Sequence, residues 1–409
     1  MSRSLRVYLC GELAGTLIED DLLQLQFTYA PKARPLSVRL AVREEPYPHA
    51  LAFPFFENLS PEGEAFEILT HDHESGNTIF SLLDRFGGDC AGAIAFYETA
   101  PASEDAPLRE LSPLEMVKII DALPRDPLLT GLEDPPRLSL AGAQSKFAVL
   151  KSNGTYYRSN DRYPTTHIIK IANTRFPHLL ENELFCMKLA QMVFSNNHEF
   201  NIPDLELLEI DGRPYLEISR YDRKIENTHV ERIHQEDFCQ ALGLVSGKKY
   251  QKGGGARLRD CYEILNQFSR DLLSDISRFA EWIIFNYLIG NTDAHAKNIS
   301  LLHGKEGIKL APFYDLLSTE VYPESVVDHE MAMLINGKGT YSSLKDRDFI
   351  ALFEHMNQNA TNMMRALAQS FSDIVQKAIA LKETLPSCPV YDEIIALVQK
   401  RMEILFTPS

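Results

Sequence analysis

The sequence predicts an α+β protein in which a β-rich half is followed by a helical half. Three observations carry this. Short strand-like runs punctuated by Gly and Pro fill the chain to about residue 222. Segments with helical apolar periodicity dominate from about residue 230. Among the latter lies one polar stretch, Gly290-Asn-Thr-Asp-Ala-His-Ala-Lys-Asn298, followed by Pro312-Phe-Tyr-Asp315. The expected divisions are residues 1–105, 106–222 and 223–409.

In the first division, Leu5 to Leu9, Leu22 to Tyr29 and Leu36 to Val42 read as strands, with Gly11, Pro31 and Pro35 between them. Phe53-Pro-Phe-Phe-Glu-Asn-Leu59 reads as an aromatic plug, Thr78 to Phe86 as an amphipathic helix and Ala91 to Phe96 as a strand. His71-Asp-His73 lacks a third ligand at metal-binding spacing and reads as a surface turn. Residues 99–113, rich in Pro, Ala and acid, read as a linker. Ser112-Pro-Leu-Glu115 then has the form of a capping box opening a helix of about ten residues.

The second division opens on Leu138-Ser-Leu-Ala-Gly-Ala-Gln-Ser-Lys-Phe-Ala-Val-Leu-Lys151, where small residues separate two strand-like runs. Such a turn brings backbone N–H groups close to phosphate oxygens, although an ordinary hairpin has the same pattern. It is not a Walker A loop, because a strand follows where that motif needs a helix. Thr166-His-Ile-Ile-Lys-Ile171 is a strand with one lysine among apolar neighbours, which either reaches solvent or serves a ligand. A helix from about Leu179 to Val193 carries Glu183. Lys170 and Glu183 have the order and spacing of the strand-lysine and helix-glutamate pair of protein kinases. Leu205 to Ile210 and Arg213 to Tyr221 read as a hairpin across Asp211-Gly212.

In the third division, Gln235 to Leu242, Leu258 to Phe268 and Asp275 to Ile289 read as helices, as do Leu344 to Phe353, Thr361 to Ile379 and Tyr391 to Phe406. The run Phe279 to Ile289 is almost wholly apolar, so its helix is expected to be buried on most sides. Gly290 ends it, and Asp293, Asn298 and Asp315 follow, the last beyond a predicted hairpin of Ile299 to Leu302 and Ile308 to Leu310. Kinases use such a trio, one carboxylate for the incoming hydroxyl, then an amide oxygen and a second carboxylate for Mg²⁺. Lys248, Lys249 and Lys252 beside Gly253-Gly-Gly255 read as a mobile solvated loop, and secondarily as an anion site. The sequential order of these parts predicts a bilobal protein-kinase-like fold, with a β-rich N-lobe, an extra N-terminal subdomain and an all-helical C-lobe.

Composition sets the setting. The chain has 409 residues, 44% of them hydrophobic and 24% charged, which is ordinary for a globular protein of two or three domains. Its net charge of −16 argues against nonspecific nucleic-acid binding, which depends on neutralising phosphates with Lys and Arg. No apolar run approaches the roughly 20 residues needed to span a bilayer, and Met1 to Arg6 lacks a signal-peptide core, so a cytoplasmic protein without membrane contact is expected. The six cysteines are scattered with no C-x-x-C pair, so reduced and mostly buried thiols are expected.

Over nearly its whole length the sequence resembles the HipA-type serine/threonine kinase toxins of bacterial toxin–antitoxin systems. The likeness is carried by Ala30-Pro31, Arg34-Pro-Leu-Ser37, Phe55-Phe-Glu-Asn-Leu59, Gly92-Ala93, Ser139-Leu-Ala-Gly-Ala-Gln-Ser-Lys146, Pro164-Thr-Thr-His-Ile-Ile-Lys170, Asn182-Glu183, Arg220-Tyr-Asp-Arg223, Gln235-Glu-Asp237, Gly290 to Asn298 and Pro312 to Asp315. The resemblance implies an ATP- and Mg²⁺-dependent protein kinase. It implies a HipB-like helix-turn-helix antitoxin as partner, operator DNA reached through that antitoxin, and an aminoacyl-tRNA synthetase as the kind of protein substrate. Residue by residue, it implies Asp293 as catalytic base and Asn298 and Asp315 as Mg²⁺ ligands. Lys170, supported by Glu183, would hold phosphates; Ala141, Gly142, Ala143 and Gln144 would cover the triphosphate; Ser219 and Tyr221 would receive adenine. His295 stands two residues after Asp293, where eukaryotic protein kinases usually have lysine, and would touch the γ-phosphate or brace the loop. Ser139 matches the family's autophosphorylated serine. Ser145 stands where an acidic residue is usual, as does Ser219, and Ser145 adds a second candidate acceptor.

Two other classes stay open from sequence. A small-molecule or lipid kinase would use the same trio, and a catalytically silent member would act only as an antitoxin and DNA-binding partner. The intact set of Lys170, Asp293, Asn298 and Asp315 speaks against silence.

Overall fold

Alternation of apolar and polar residues builds the first sheet. In a computed structural model, β1 (Arg3–Leu9), β2 (Glu12–Glu19) and β3 (Leu25–Tyr29) form an antiparallel meander. The structure describes residues 2–60, 78–99, 108–127, 129, 144–160, 163–195, 202–226 and 229–406. α1 (His49–Glu57) and α2 (Ile79–Phe86) follow, and β4 (Ile94–Tyr97) completes the sheet in the order β3-β2-β1-β4. The aromatic stretch at Phe53 packs inward as expected, in helical form despite Pro54 inside α1, and its Phe55 and Phe56 are buried. With Leu5, Val7, Leu17, Phe27, Phe80 and Phe96 they make one apolar core.

Leu36 to Val42 is not a strand, contrary to expectation. Its backbone finds side-chain partners instead of a ladder. Glu236 Oε1 accepts from Val38 N at 2.9 Å, Glu236 Oε2 accepts from Ser37 Oγ at 2.5 Å, and Ser37 Oγ accepts from Arg39 N. Leu36 and Leu40 are buried at helical rather than alternating spacing.

β5 (Arg109–Glu110) and α3 (Pro113–Ala122) come next, α3 opening on the predicted capping box of Ser112 and Glu115. β6 (Lys146–Ser152), β7 (Thr155–Arg158) and β8 (His167–Ile171) follow, then α4 (Leu179–Val193). β9 (Leu205–Ile210) and β10 (Arg213–Ser219) form the expected hairpin. Both residues of its turn, Asp211 and Gly212, have positive φ, which matches the twist of the flanking strands. These strands give a six-stranded sheet in the order β5-β7-β6-β8-β10-β9, with Phe147, Val149, Ile169, Ile171 and Tyr215 packed against α3 residues Met116, Ile119 and Ile120.

The chain stays extended longer than expected. β11 (Arg223–Glu226), β12 (His229–Arg232) and β13 (His234–Asp237) precede a short α5 (Phe238–Leu242). Gln235-Glu-Asp237 was expected in a helix, but Asp237 is the N-cap, its carboxylate accepting from Gln240 N. The remainder is largely helical, as expected: α6 (Leu258–Phe268), α7 (Leu272–Ile289), the strands β14 (Ser300–Gly304) and β15 (Gly307–Leu310), then α8 (Asp346–His355), α9 (Ala360–Ser370), α10 (Ile374–Lys382) and α11 (Pro389–Phe406). The single helix expected over Thr361 to Ile379 is two, broken at buried Phe371, whose ring packs edge-on against Phe194.

Two compact units result: Met1–Ile171, Leu208–Ser246 and Leu302–Gly304 in one, and Ala172–Leu207, Gly247–Leu301 and Lys305–Ser409 in the other. Among the described residues no helix is long and apolar enough to cross a membrane. Cys10 is exposed, while Cys90, Cys186, Cys239, Cys261 and Cys388 are buried thiols.

Candidate active site

α7 ends in a way that presents the polar loop. Gly290 takes φ +77°, its N–H bonds to Tyr287 O at 3.2 Å, and Asn291 N bonds to Asn286 O at 2.9 Å. This is the two-bond closure that a left-handed glycine allows after a helix. A Cβ at Gly290 would sit 3.0 Å from both Arg401 Nη1 and Glu320 Oε2. The loop is then pinned from outside. Thr319 Oγ1 accepts from Thr292 N at 2.7 Å, Tyr341 donates its hydroxyl to Asn291 O at 2.6 Å, and Ala332 N donates to Thr292 O at 2.8 Å.

Asp293 follows this anchored pair with its side chain 45% exposed, whereas Ala294 to Asn298 are buried. Its own carbonyl is capped twice, by His295 N at 2.8 Å and by Asn298 Nδ2 at 3.1 Å. That second bond turns the Asn298 amide so that its oxygen is left for another partner. One carboxylate oxygen, Oδ1, accepts from the Tyr250 hydroxyl at 2.8 Å, and the other, Oδ2, lies 3.9 Å from His295 Nε2. The His295 ring also meets Tyr250 edge-on, with centroids 5.4 Å apart. Lys297 is buried, and its backbone carbonyl accepts from Tyr314 Oη at 2.8 Å.

Asp315 lies in the same unit as Asp293 and Asn298, half-buried, with φ +57°. Left-handed backbone is costly for most residues and tolerated by Asp, and it concentrates at functional sites. Three residues on, Ser318 is gripped at both backbone groups by Asn182 of α4: Nδ2 donates to Ser318 O and Oδ1 accepts from Ser318 N, each at 2.8 Å. Glu183, next to Asn182, is buried. Asn298 and Asp315 are hard oxygen donors, the kind Mg²⁺ takes alongside substrate phosphates. Among the described residues no group of three or more His, Cys, Asp or Glu forms a dedicated metal cage.

In the other unit, Lys170 sits on β8 paired across to Lys146 of β6 and to Leu216 of β10, and is 6% exposed. Its neighbours Ile169 and Ile171 point into the core beneath α3, so strand alternation sends Lys170 to the opposite face. Of the stretch expected to cover the triphosphate, only the end is described. Ser139, Ala141, Gly142 and Ala143 lie outside the described residues, as does His71-Asp-His73. Ser145 is tied to β8, its carbonyl accepting from Ile171 N at 3.3 Å, and Gln144 Nε2 is buried with no hydrogen-bond partner among the described residues. Ser219 ends β10 opposite His167, and the Tyr221 hydroxyl donates to Gln235 Oε1.

Between Ser219 and β11 the motif Arg220-Tyr-Asp-Arg223 is a buried charge cluster. Asp222 accepts from Arg220 Nη2 and Gly92 N, each at 2.7 Å, while Asp89 accepts from Arg223 Nη2 and Thr165 N, each at 2.7 Å. Burial opposes a charge on Asp89, but Arg223, Arg232 and Arg220 outweigh it and hold the carboxyl well below its ordinary range. Burial likewise opposes the Asp222 charge and is outweighed by Arg220 and Arg223. These arginines are framework within their unit.

Comparison with known proteins agrees with this organisation. The family model for the HipA-like C-terminal domain matches residues 138–380, and that for the HipA N-terminal domain matches residues 5–97. The chain belongs to the HipA family. Y4mE of Sinorhizobium fredii, which bears a provisional kinase name, is 39% identical over 357 residues, covering 84% of this chain and 83% of that protein. The serine/threonine-protein kinase toxin HipA of Shewanella oneidensis is 28% identical over 346 residues, covering 78% and 76%. A solved structure of the Shewanella oneidensis toxin–antitoxin complex of HipA, HipB and operator DNA superposes with a TM-score of 0.83 at 24% identity, covering 98% of this chain and 96% of that one. The fold of this HipA-family chain is therefore the α+β, protein-kinase-like one expected from its sequence. Sequence reasoning missed Thr319, Tyr341 and Tyr250 as parts of the site, and it picked out Asn182 only as part of a motif, without its grip on Ser318. Each acts across loops distant in sequence, and no local pattern marks it.

Proposed function

We propose that this HipA-family kinase transfers the γ-phosphoryl group of ATP to a serine or threonine hydroxyl of a protein. The observation that carries the reading is the Asp293–Asn298 loop: a half-exposed carboxylate, and an amide whose Nδ2 donates to the Asp293 carbonyl, which orients its oxygen for a cation. Asp293 orients the acceptor hydroxyl and takes its proton as the oxygen bonds to the γ-phosphorus. The bond from that phosphorus to the β,γ-bridging oxygen breaks, and ADP leaves with the electron pair. A Mg²⁺ held by Asn298 and Asp315 supplies positive charge against the triphosphate. Lys170, with Glu183, steadies the phosphates; His295 braces the loop or meets the γ-phosphate; Ser219 and Tyr221 flank adenine. Gln144 Nε2, buried with no hydrogen-bond partner among the described residues, supports a polar ligand beside it.

By likeness to the Shewanella complex, we propose a HipB-like antitoxin as partner and operator DNA reached through it; a cytoplasmic setting is proposed from the sequence. An aminoacyl-tRNA synthetase is the proposed class of substrate. Ser139, or Ser145, is the proposed autophosphorylation site, where an added dianion would repel ATP from the adjoining turn.

Phosphosite mass spectrometry before and after Mg²⁺-ATP tests this. Phosphate on Ser139 or Ser145 supports it. Phosphate found on metabolites or lipids but never on protein would replace it with a small-molecule kinase, and ATP binding without any transfer would leave a silent binding partner.

A further inference from the structure

Lys248, Lys249 and Lys252 beside Gly253-Gly-Gly255 read from sequence as a mobile solvated loop, yet the segment is tied down on both sides of Tyr250. Lys249 O accepts from Ala296 N at 3.4 Å, in the middle of the Asp293–Asn298 loop. Gln251 N donates to Ala332 O and Gln251 Oε1 accepts from Leu334 N, each at 2.8 Å. The same Ala332 donates its N–H to Thr292 O, so one residue anchors both loops. Lys248 Nζ turns back onto Gly253 O, and Lys252 pairs with Glu330. The glycine triplet makes this closure possible. Gly253 and Gly254 take φ +76° and +82°, and a Cβ on Gly255 would lie 1.9 Å from Tyr250 O and 2.3 Å from Lys248 O. Only a residue without a side chain passes there.

The result is a tyrosine, 38% exposed, whose hydroxyl donates to Asp293 Oδ1 at 2.8 Å and whose ring edges against His295. We propose that Tyr250 is a positioning residue for Asp293. By engaging Oδ1 it stops rotation of the carboxylate and leaves Oδ2 as the oxygen that meets the acceptor hydroxyl and takes its proton. A hydroxyl at this spot could instead be a placeholder for the acceptor. The tethers on Lys249 and Gln251 argue for a fixed post, because a placeholder must leave for the acceptor to enter. The inference rests on Asp293 acting as the base.

The test compares full-length wild type, Tyr250→Phe and Asp293→Asn for ADP release from Mg²⁺-ATP, with myelin basic protein as acceptor, so that transfer to protein and to water are both counted. Tyr250→Phe removes one oxygen and keeps the ring. The expected result is a fall in kcat of about tenfold, the lower end for a hydrogen bond to a charged group. KM for ATP and for the acceptor, and the thermal midpoint, stay at wild-type values. An unchanged kcat overturns the inference, as does a higher kcat with lower acceptor KM, which is the placeholder's signature. A kcat loss accompanied by a lowered thermal midpoint also overturns it, in favour of a merely structural tyrosine. Wild-type activity in Asp293→Asn removes the base itself and the inference with it, whereas an inactive Asp293→Asn beside a normal Tyr250→Phe removes the inference alone.

Discussion

His234 makes the fold of its unit sensitive to acid in a way that can be separated from all other titrations. The residue is 3% exposed on β13, and its Nε2–H donates to Leu36 O at 2.7 Å. Its Nδ1 is buried with no hydrogen-bond partner among the described residues. Among the described residues, a proton added there has no acceptor. Burial, the neighbouring His303 ring at 4.8 Å, and Arg232 and Arg34 push its pKa from 6.5 down to about 3, against the pull of the Leu36 carbonyl. Because the folded value is depressed, the unfolded chain binds the extra proton first. The neutral imidazole's contribution is therefore complete above about pH 6.5 and is lost progressively as pH falls toward 3. At pH 5 the two values correspond to about 2 kcal/mol lost relative to pH 7.5. The assay is denaturant unfolding of wild type and His234→Gln at both pH values. Gln keeps a donor for Leu36 O but does not titrate, and shared groups cancel in the difference. Wild type should lose about 2 kcal/mol more than the variant. Parallel pH dependences would refute the reasoning, since His234 would then protonate as readily in the fold as outside it.

Two other substitutions probe the scaffold. Asp222→Ala leaves Arg220 and Arg223 buried without one of their carboxylates and should cost about 3–5 kcal/mol, read as a shift in denaturant midpoint; a shift near zero would mean that Asp89 alone suffices. Gly290→Ala puts a Cβ on left-handed backbone 3.0 Å from Arg401 and Glu320, so it should destabilise by roughly 1–3 kcal/mol and displace the Asp293 loop. Full stability by thermal melt together with unaltered turnover would count against the loop geometry.

Much of the fold was legible because local and tertiary preferences agree. α4 follows its predicted bounds, Leu179 to Val193, and Ser112 with Glu115 opens α3 as their spacing foretells. Asp211-Gly212 specified a hairpin on its own. Expectation failed where a distant side chain did the backbone's bonding. Leu36 to Val42 has strand-like composition, but Glu236, about two hundred residues away, takes its donors, and no local pattern reveals that. Asp237 looked like a helix interior and is a cap. The candidate site divides in the same way. Asp293, Asn298 and Asp315 stand out because kinase chemistry demands those groups at that spacing, whereas Asn182, Thr319, Tyr341 and Tyr250 act only once the loops have met. Gly253-Gly-Gly255 was visible, but its purpose, passing over the Tyr250 carbonyl, was not.

The most direct test of the account is transfer of labelled γ-phosphate to protein by Asp293→Asn beside wild type, with ATP affinity measured on both. Wild type should label protein, and the variant should bind ATP with similar affinity while transferring none. Undiminished labelling by Asp293→Asn would contradict a catalytic role for the carboxylate. Equal loss of binding and transfer would make Asp293 part of the structure rather than of the chemistry.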